Sequence, residues 1–184
     1  MLGSPLLHPE SWALAAPPSR VSVSVRHLGV GHLAGEFRRF VGEVRADVAQ
    51  ALRRLELVVD AHSLMAGDDA HARALRALFG SASHPSLHFR SDWAYEKGQG
   101  REGVQGTLTM HGRTHIVELV AGPGTLVTDG EGRRWYATTV TGALDRRMWG
   151  PVEGGPLELG GLVVGHEVAL RLELHAPVAS DGGR

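Results

Sequence analysis

The sequence predicts an all-β domain, a barrel or a sandwich, with roughly eight or nine strands and one short helix. The first indication is an alternation of apolar and polar residues with a period of two, which recurs along most of the chain. The second is the short and regular spacing of these segments, whose connections are rich in glycine. The third is one interval, residues 68–79, where apolar residues follow a helical spacing instead. Periodicity alone leaves the choice between barrel and sandwich open.

The first strand is predicted where Val21, Val23 and Val25 alternate with polar residues. Further strands are predicted, in chain order, around residues 30–40, 42–46, 52–59, 86–95, 104–110, 117–119, 135–144 and 168–174. In the strand at 86–95, strict alternation places Trp93 on the same face as Phe89.

The remaining elements are one helix, one tight turn and one long loop. Asp68 and Asp69 suit the N-terminal end of the predicted helix, because carboxylates there interact favourably with the helix dipole. A tight turn is predicted at His111 and Gly112, and a loop over the Gly- and Pro-rich residues 150–161.

Composition excludes several classes of function. The formal net charge is -1, which argues against a dedicated nucleic-acid partner, since such proteins usually carry a basic excess. The chain has no cysteine, so disulfides, thiolate nucleophiles and cysteine zinc sites are excluded. No apolar run is long enough to span a bilayer, and no signal sequence is recognisable at the N-terminus. We therefore expect a cytoplasmic protein that does not span a membrane.

Eleven histidines raise the question of a metal site. His84 and His88 are four residues apart, as are His111 and His115, which on a helix would place two imidazoles on one face. Neither pair lies in a predicted helix, and no further ligands stand out. We favour surface or turn histidines over a metal site, and we expect no cofactor.

Residues 98–103, Gly-Gln-Gly-Arg-Glu-Gly, match the dinucleotide-binding fingerprint. That motif requires a helix after the glycines to receive a pyrophosphate, whereas a strand is predicted from Val104 onward. The match is therefore interpreted as a hairpin loop. No nucleophile elbow and no Walker sequence are present, and no catalytic residue is predicted.

Five stretches, in order, resemble the YceI-like family of polyisoprenoid-binding, lipocalin-like proteins. They are residues 12–27, 35–42, 84–89, 106–114 and 164–168. The fourth stretch, Gly-Thr-Leu-Thr-Met-His-Gly-Arg-Thr, is very close to the family's Gly-x-Leu-Thr-x-His-Gly-x-Thr hairpin. The chain departs from the family near its first strand, where Ala15-Ala16-Pro17-Pro18-Ser19 replaces an Asp-Pro-x-His-Ser sequence.

The resemblance implies an eight-stranded antiparallel lipocalin-like β-barrel with one short α-helix packed near one end. It covers residues 12–176, and leaves residues 1–11 and 177–184 as tails. It further implies that a polyisoprenoid or other long-chain apolar lipid is held in the lumen for storage, transport or stress response, without an enzymatic reaction. A homodimer is consistent with the resemblance.

On this basis we predict which residues line the lumen and contact the ligand, with ordinary core packing as the alternative role of each. The predicted residues are Val21, Val23, Val25, Phe37, Leu57, Val59, Leu87, Phe89, Leu108, Met110, Leu119, Trp135, Leu170 and Leu172. His27, at the end of the first strand, is a candidate contact for a lipid head group, although a structural hydrogen bond is the favoured role. Two alternative functions remain: a packed barrel acting as an interaction or stress protein without ligand, and a metal-dependent enzyme.

Overall fold

The computed structural model describes residues 10–27, 31–79, 83–150, 157–159 and 162–178. Its strands are β1 Glu10–Ala13, β2 Arg20–His27, β3 His32–Phe37, β4 Phe40–Ala46, β5 Leu52–Asp60, β6 Leu64–Ala66, β7 Ser86–Gly98, β8 Arg101–Met110, β9 Arg113–Ala121, β10 Thr125–Thr128, β11 Arg134–Asp145, β12 Leu157–Leu159 and β13 Leu162–Pro177. The helix α1 spans Asp69–Phe79, and one-turn 3-10 helices span Ala61–Ser63 and Arg146–Met148. Most of both predicted tails and the start of the strand predicted at 30–40 lie outside the described residues.

The strands form one curled antiparallel sheet in which neighbours along the chain are neighbours in space. The hydrogen-bonded path runs β4-β5-β7-β8-β9-β11-β13-β2-β3. Its two ends, β3 and β4, are parts of a single long strand that bends at Arg38 and Arg39, so the path closes on itself through the chain. The fold is therefore the predicted all-β barrel, with eight long strand positions around the ring.

The bend between β3 and β4 is fixed by the 3-10 turn that follows β5. The backbone N–H of Arg38 donates to the carbonyl oxygen of Ser63 at 3.2 Å, and that of Asp60 donates to Arg39 at 3.0 Å. The hydroxyl of Ser63 accepts a further bond from the N–H of Arg39 at 2.9 Å. Because these bonds pair the backbone at the bend, the chain can turn without leaving buried polar groups unsatisfied.

Helix α1 packs on the barrel beside β3 and β6. Asp68 caps its first turn, since its Oδ1 accepts from the backbone N–H of His71 at 2.8 Å. Its apolar face buries Leu75, Leu78 and Phe79. The predicted helix over 68–79 is confirmed.

Two local predictions were wrong. The register of β7 against β8 shifts between Ser91 and Trp93, a β-bulge that reverses which side chains face inward. Trp93 is 64 % exposed and so does not share the buried face of Phe89. The loop predicted at 150–161 also contains β12, which pairs with the start of β13.

The core lies inside the barrel, and one half of it is packed around Tyr136. The Tyr136 ring is fully buried, stacks on Trp12 with ring centroids 5.3 Å apart, and donates its hydroxyl to the carbonyl oxygen of Gln50 at 3.2 Å. Gly124 permits this packing, since a Cβ there would lie 1.9 Å from the Gln50 carbonyl oxygen. We call this the packed half; its fully buried residues are Val44, Leu52, Leu55, Val104, Ala121, Tyr136, Val140, Leu174 and Ala176.

Candidate functional site

The other half of the barrel encloses an internal cavity whose wall is apolar throughout. Eight ring strands and helix α1 supply its lining, because alternate residues of each strand face inward. We call it the lumen; it is lined by Val21, Val23, Phe37, Leu57, Val59, Phe79, Leu87, Phe89, Leu108, Val117, Leu119, Leu144, Leu170 and Leu172. A wall of aliphatic and aromatic side chains can bury an apolar group but offers no polar contact to it.

Most of the residues predicted from the sequence to line the lumen are found there. They are Val21, Val23, Phe37, Leu57, Val59, Leu87, Phe89, Leu108, Leu119, Leu170 and Leu172. Val25 and Met110 are buried in the core but do not line the lumen. The side chain of His27 lies outside the described residues, and only its backbone, paired with Val164, is placed.

Trp135 does not line the lumen, in contrast to its predicted position. It is the neighbour of the inward-facing Tyr136, so strand alternation directs its side chain to the outer face. There its indole N–H donates to Oδ2 of Asp129 at 3.0 Å. The hydrogen bonds from Trp135 and Arg133 hold the pKa of the Asp129 carboxyl well below its usual value. Trp135 therefore stabilises the β10–β11 hairpin.

Three lining residues were not predicted. Val117 shares an inward-facing row with the predicted Leu119, and Leu144 shares one with the buried Tyr136 and Val140, so the strand alternation contained the signal for both. Phe79 comes from helix α1, whose apolar spacing indicated packing on the barrel but gave no sign that one side chain enters the lumen.

Phe79 belongs to the structure that caps one end of the lumen. It is buried and meets Phe37 edge-to-face, with ring centroids 5.4 Å apart. The end of the helix is held to the β8–β9 turn by His111, whose Nε2 lies 2.9 Å from the carbonyl oxygen of Leu78. The packed half with Tyr136 lies towards the opposite end of the lumen. Described side chains therefore lie at both ends of the lumen.

The lumen is small as well as apolar. Its free volume is about 50 Å³, whereas pockets that hold small-molecule ligands usually measure about 300–1,000 Å³. The strands would have to move apart before a lipid chain of several isoprene units entered.

A larger depression lies on the outer face of β13, β2, β3 and β6. It measures about 460 Å³ and opens widely to solvent. Ser22, Ser24, Glu36, Arg38 and Arg171 contribute to its lining. Both arginines are already paired, Arg38 with Glu36 at 3.1 Å and Arg171 with Glu173 at 3.0 Å. We regard the smaller lumen as the candidate site, because it is the more enclosed of the two and its wall is uniformly apolar.

Polar chemistry around the lumen is confined to its margins. Arg146, in the 3-10 turn after β11, donates to the carbonyl oxygen of Gly165 at 2.9 Å, and burial lowers its pKa. Within the described residues, no three His, Asp or Glu side chains converge as metal ligands would. The described helix is also too short and too polar to cross a bilayer.

Comparisons with known proteins agree with this architecture. The model of the YceI-like domain matches residues 12–176. A UPF0312 protein of Vibrio cholerae is 34% identical over 105 residues, or 55% of this chain and 55% of that protein. The chain thus matches about half the length of this curated relative.

Solved structures show the same fold at lower sequence identity. BcnA of Burkholderia cenocepacia superposes with a TM-score of 0.67 and 20% identity, over 89% of this chain and 99% of that one. A polyisoprenoid binding domain from Saccharophagus degradans, implicated in plant cell wall breakdown, gives a TM-score of 0.65 and 14% identity, over 94% and 100%. With the family model covering nearly the whole chain, the protein belongs to the YceI-like domain family.

Proposed function

We propose that the protein binds one long-chain apolar lipid, of the polyisoprenoid class, in the lumen, and performs no chemistry on it. Storage, transport or a stress response would be served by such binding. The observation that carries the proposal is the lining of the lumen, where every contributing side chain is aliphatic or aromatic.

The energetics of burial favour a linear hydrocarbon in such a wall. Burying a methylene contributes about 0.8 kcal/mol, so a five-carbon isoprene unit contributes roughly 3–4 kcal/mol before the cost of ordering the chain. A narrow apolar tube therefore needs no polar contact to retain a chain of several units. The relative from Saccharophagus degradans, described as a polyisoprenoid binding domain, shares this fold and supports the same ligand class.

The first experiment is native mass spectrometry of freshly purified protein, with organic extraction of any bound species. A bound species of isoprenoid mass is expected, and the same spectrum gives the oligomeric state and so tests for a homodimer. All-trans-retinol, an isoprenoid alcohol that fluoresces more strongly in apolar surroundings, then serves as a titratable probe.

A matched pair of variants tests whether the lumen is the binding site. Leu144 lines the lumen, and its neighbour Ala143 is exposed on the outer face of the same strand. Leu144→Trp should abolish retinol binding by filling the lumen, while Ala143→Trp should bind as the natural protein does. Circular dichroism of both variants checks that the barrel is intact. Equal retinol binding by two folded variants would contradict the proposal.

A second function is favoured by the free volume of about 50 Å³, which is small for a ligand site. In this alternative the barrel is packed by its own side chains and acts as an interaction or stress protein without ligand. A purified protein without bound lipid that also fails to take up retinol would support it.

A further inference from the structure

The ring of strands has one weak joint, between β9 and β11. Along these strands only Val140 with Ala121 and Thr141 with Val120 are paired. On its other side β11 pairs with β13 at eleven positions, from Trp135 with Pro177 to Asp145 with Glu167. Beyond Thr141 no residues of the two strands are paired, and we call the interval between residues 113–119 and 142–145 the seam.

Side chains occupy the seam where backbone pairing is missing. Leu119 lies over the backbone of Gly142, so closely that a Cβ at Gly142 would be 2.4 Å from Leu119 Cδ2. Leu119 also lines the lumen, with Leu144 on the other side of the seam. The seam therefore borders the lumen directly.

The segment that follows β11 reaches across and fastens the seam to β8 and β9. Trp149 is buried, donates its indole N–H to the carbonyl oxygen of Leu108 at 3.2 Å, and meets the His115 ring edge-on at 5.1 Å. Arg113 donates to the carbonyl oxygen of Gly150 at 3.1 Å. These contacts join the two sides of the seam through side chains, which can separate without breaking a strand ladder.

We propose that the apolar chain enters the lumen sideways, through the seam, and that Trp149 is the latch that controls its opening. The inference rests on the proposed lipid-binding function. Phe79 and Phe37 lie at one end of the lumen, and the packed half lies towards the other. The other joints of the ring are paired at five or more positions each, so separating β9 from β11 disrupts the fewest backbone bonds.

A disulfide across the seam tests this directly. The chain contains no cysteine, so Leu119→Cys with Gly142→Cys introduces the only two thiols. A Cβ at Gly142 would lie 3.7 Å from the Leu119 Cα, which is close enough for a bridge once the leucine side chain is removed. Retinol uptake is followed by stopped-flow fluorescence in the oxidised and reduced forms of this one variant.

We expect uptake by the oxidised form to be at least about tenfold slower than by the reduced form. The control is Ala143→Cys with Ala169→Cys, which bridges the fully paired β11 and β13 on the outer face, and where oxidation should change the rate less than about twofold. Equal uptake rates in both redox forms of the seam variant would overturn the entry route. If natural protein and both forms all fail to bind retinol, the proposed function itself fails.

A second variant tests the latch without closing the seam. Trp149→Phe keeps an aromatic ring beside His115 but removes the donor to Leu108, and we expect uptake at least about threefold faster than in the natural protein. A rate unchanged or slower, in a variant whose circular dichroism is unaltered, would exclude Trp149 as the latch.

Discussion

The two halves of the barrel are built from the same residue types but are filled differently. In the packed half, Val44, Leu55 and Val104 have no solvent exposure, whereas Leu57, Phe89 and Val117 around the lumen are exposed by 5, 7 and 8 %. In the packed half the rings of Tyr136 and Trp12 are stacked on each other. The other half retains free volume although Phe37, Phe79 and Phe89 contribute to its lining.

This comparison separates two roles for one apolar pattern. Residues of the packed half have neighbours on every side, so their contacts stabilise the fold. Residues around the lumen have neighbours on one side and free space on the other, and are available to a ligand. Substitutions of the same kind should therefore have different effects in the two halves.

Matched leucine truncations give the largest expected effect. Leu55→Ala, in the packed half, should lower the free energy of unfolding by about 4 kcal/mol, through lost burial and a new cavity. Leu172→Ala, beside the lumen, should cost about 2–3 kcal/mol, because Leu172 already borders free volume. Urea denaturation of both variants with equal m-values measures the difference. Equal costs would mean that the lumen is as tightly packed as the rest of the core.

Adding one methylene should have opposite effects on the free energy of unfolding in the two halves. Val117→Ile, beside the lumen, should stabilise the protein by up to about 0.8 kcal/mol by filling free volume. Val104→Ile, on the neighbouring strand in the packed half, should destabilise it by about 1–3 kcal/mol through overpacking. The same denaturation experiment applies, and a loss of stability in both variants would contradict the free volume around Val117.

Alkaline pH should act on the packed half. Burial raises the pKa of the Tyr136 phenol above its ordinary value. Because the pKa of Tyr136 is higher in the folded protein than in the unfolded chain, its contribution to stability is fully present below the unfolded pKa of about 10. Above that pH it should fall by up to about 1.4 kcal/mol per pH unit, since the phenol ionises only in the unfolded chain.

Tyr136→Phe is the control for this alkaline dependence. It keeps the ring stacked on Trp12 and removes only the hydroxyl that donates to Gln50. The decrease in stability between pH 10 and 11 should be smaller in the variant than in the natural protein. Parallel pH profiles would show that Tyr136 does not remain protonated in the folded barrel.

The wall of the lumen was largely predictable from the sequence, while its dimensions were not. Alternation identified the inward rows of β2, β5, β7 and β13, because each of those strands has one apolar face. It failed at Trp93, where a bulge inserts one residue, and at Trp135, an apolar side chain on an outer face. The free volume depends on which side chains share a level of the barrel, and this follows from strand register and tilt.

The sequence pattern also did not predict the seam. β10 pairs with residues 134–137 of β11, which accounts for one end of the β9–β11 contact but not for the missing pairs beyond Thr141, and no residue type marks that point. Gly142 is one of 25 glycines, and only its distance to Leu119 distinguishes it. Trp149 lies just before the predicted loop at 150–161, in a segment without periodicity. Its buried position became apparent only from the fold.

Acid should act on the lumen half, with the smallest expected effect. Asp145 caps the 3-10 turn that leads to Trp149, since its carboxylate accepts from the backbone N–H of Arg147 at 3.0 Å. The hydrogen bonds that the Arg147 guanidinium donates to the Asp145 carboxylate lower the pKa of this carboxyl to about 2. Because the folded pKa is depressed, this stabilisation is present above the unfolded value of about 4 and is lost as the pH falls towards 2. The pair is largely exposed, so the loss of stability should stay below about 1 kcal/mol.

Asp145→Asn should remove this part of the acid dependence of stability. At neutral pH, the near-ultraviolet circular dichroism of Trp149 in the variant should show the change that we expect in the natural protein near pH 2. An identical acid profile in both proteins would show that the cap does not hold the latch segment.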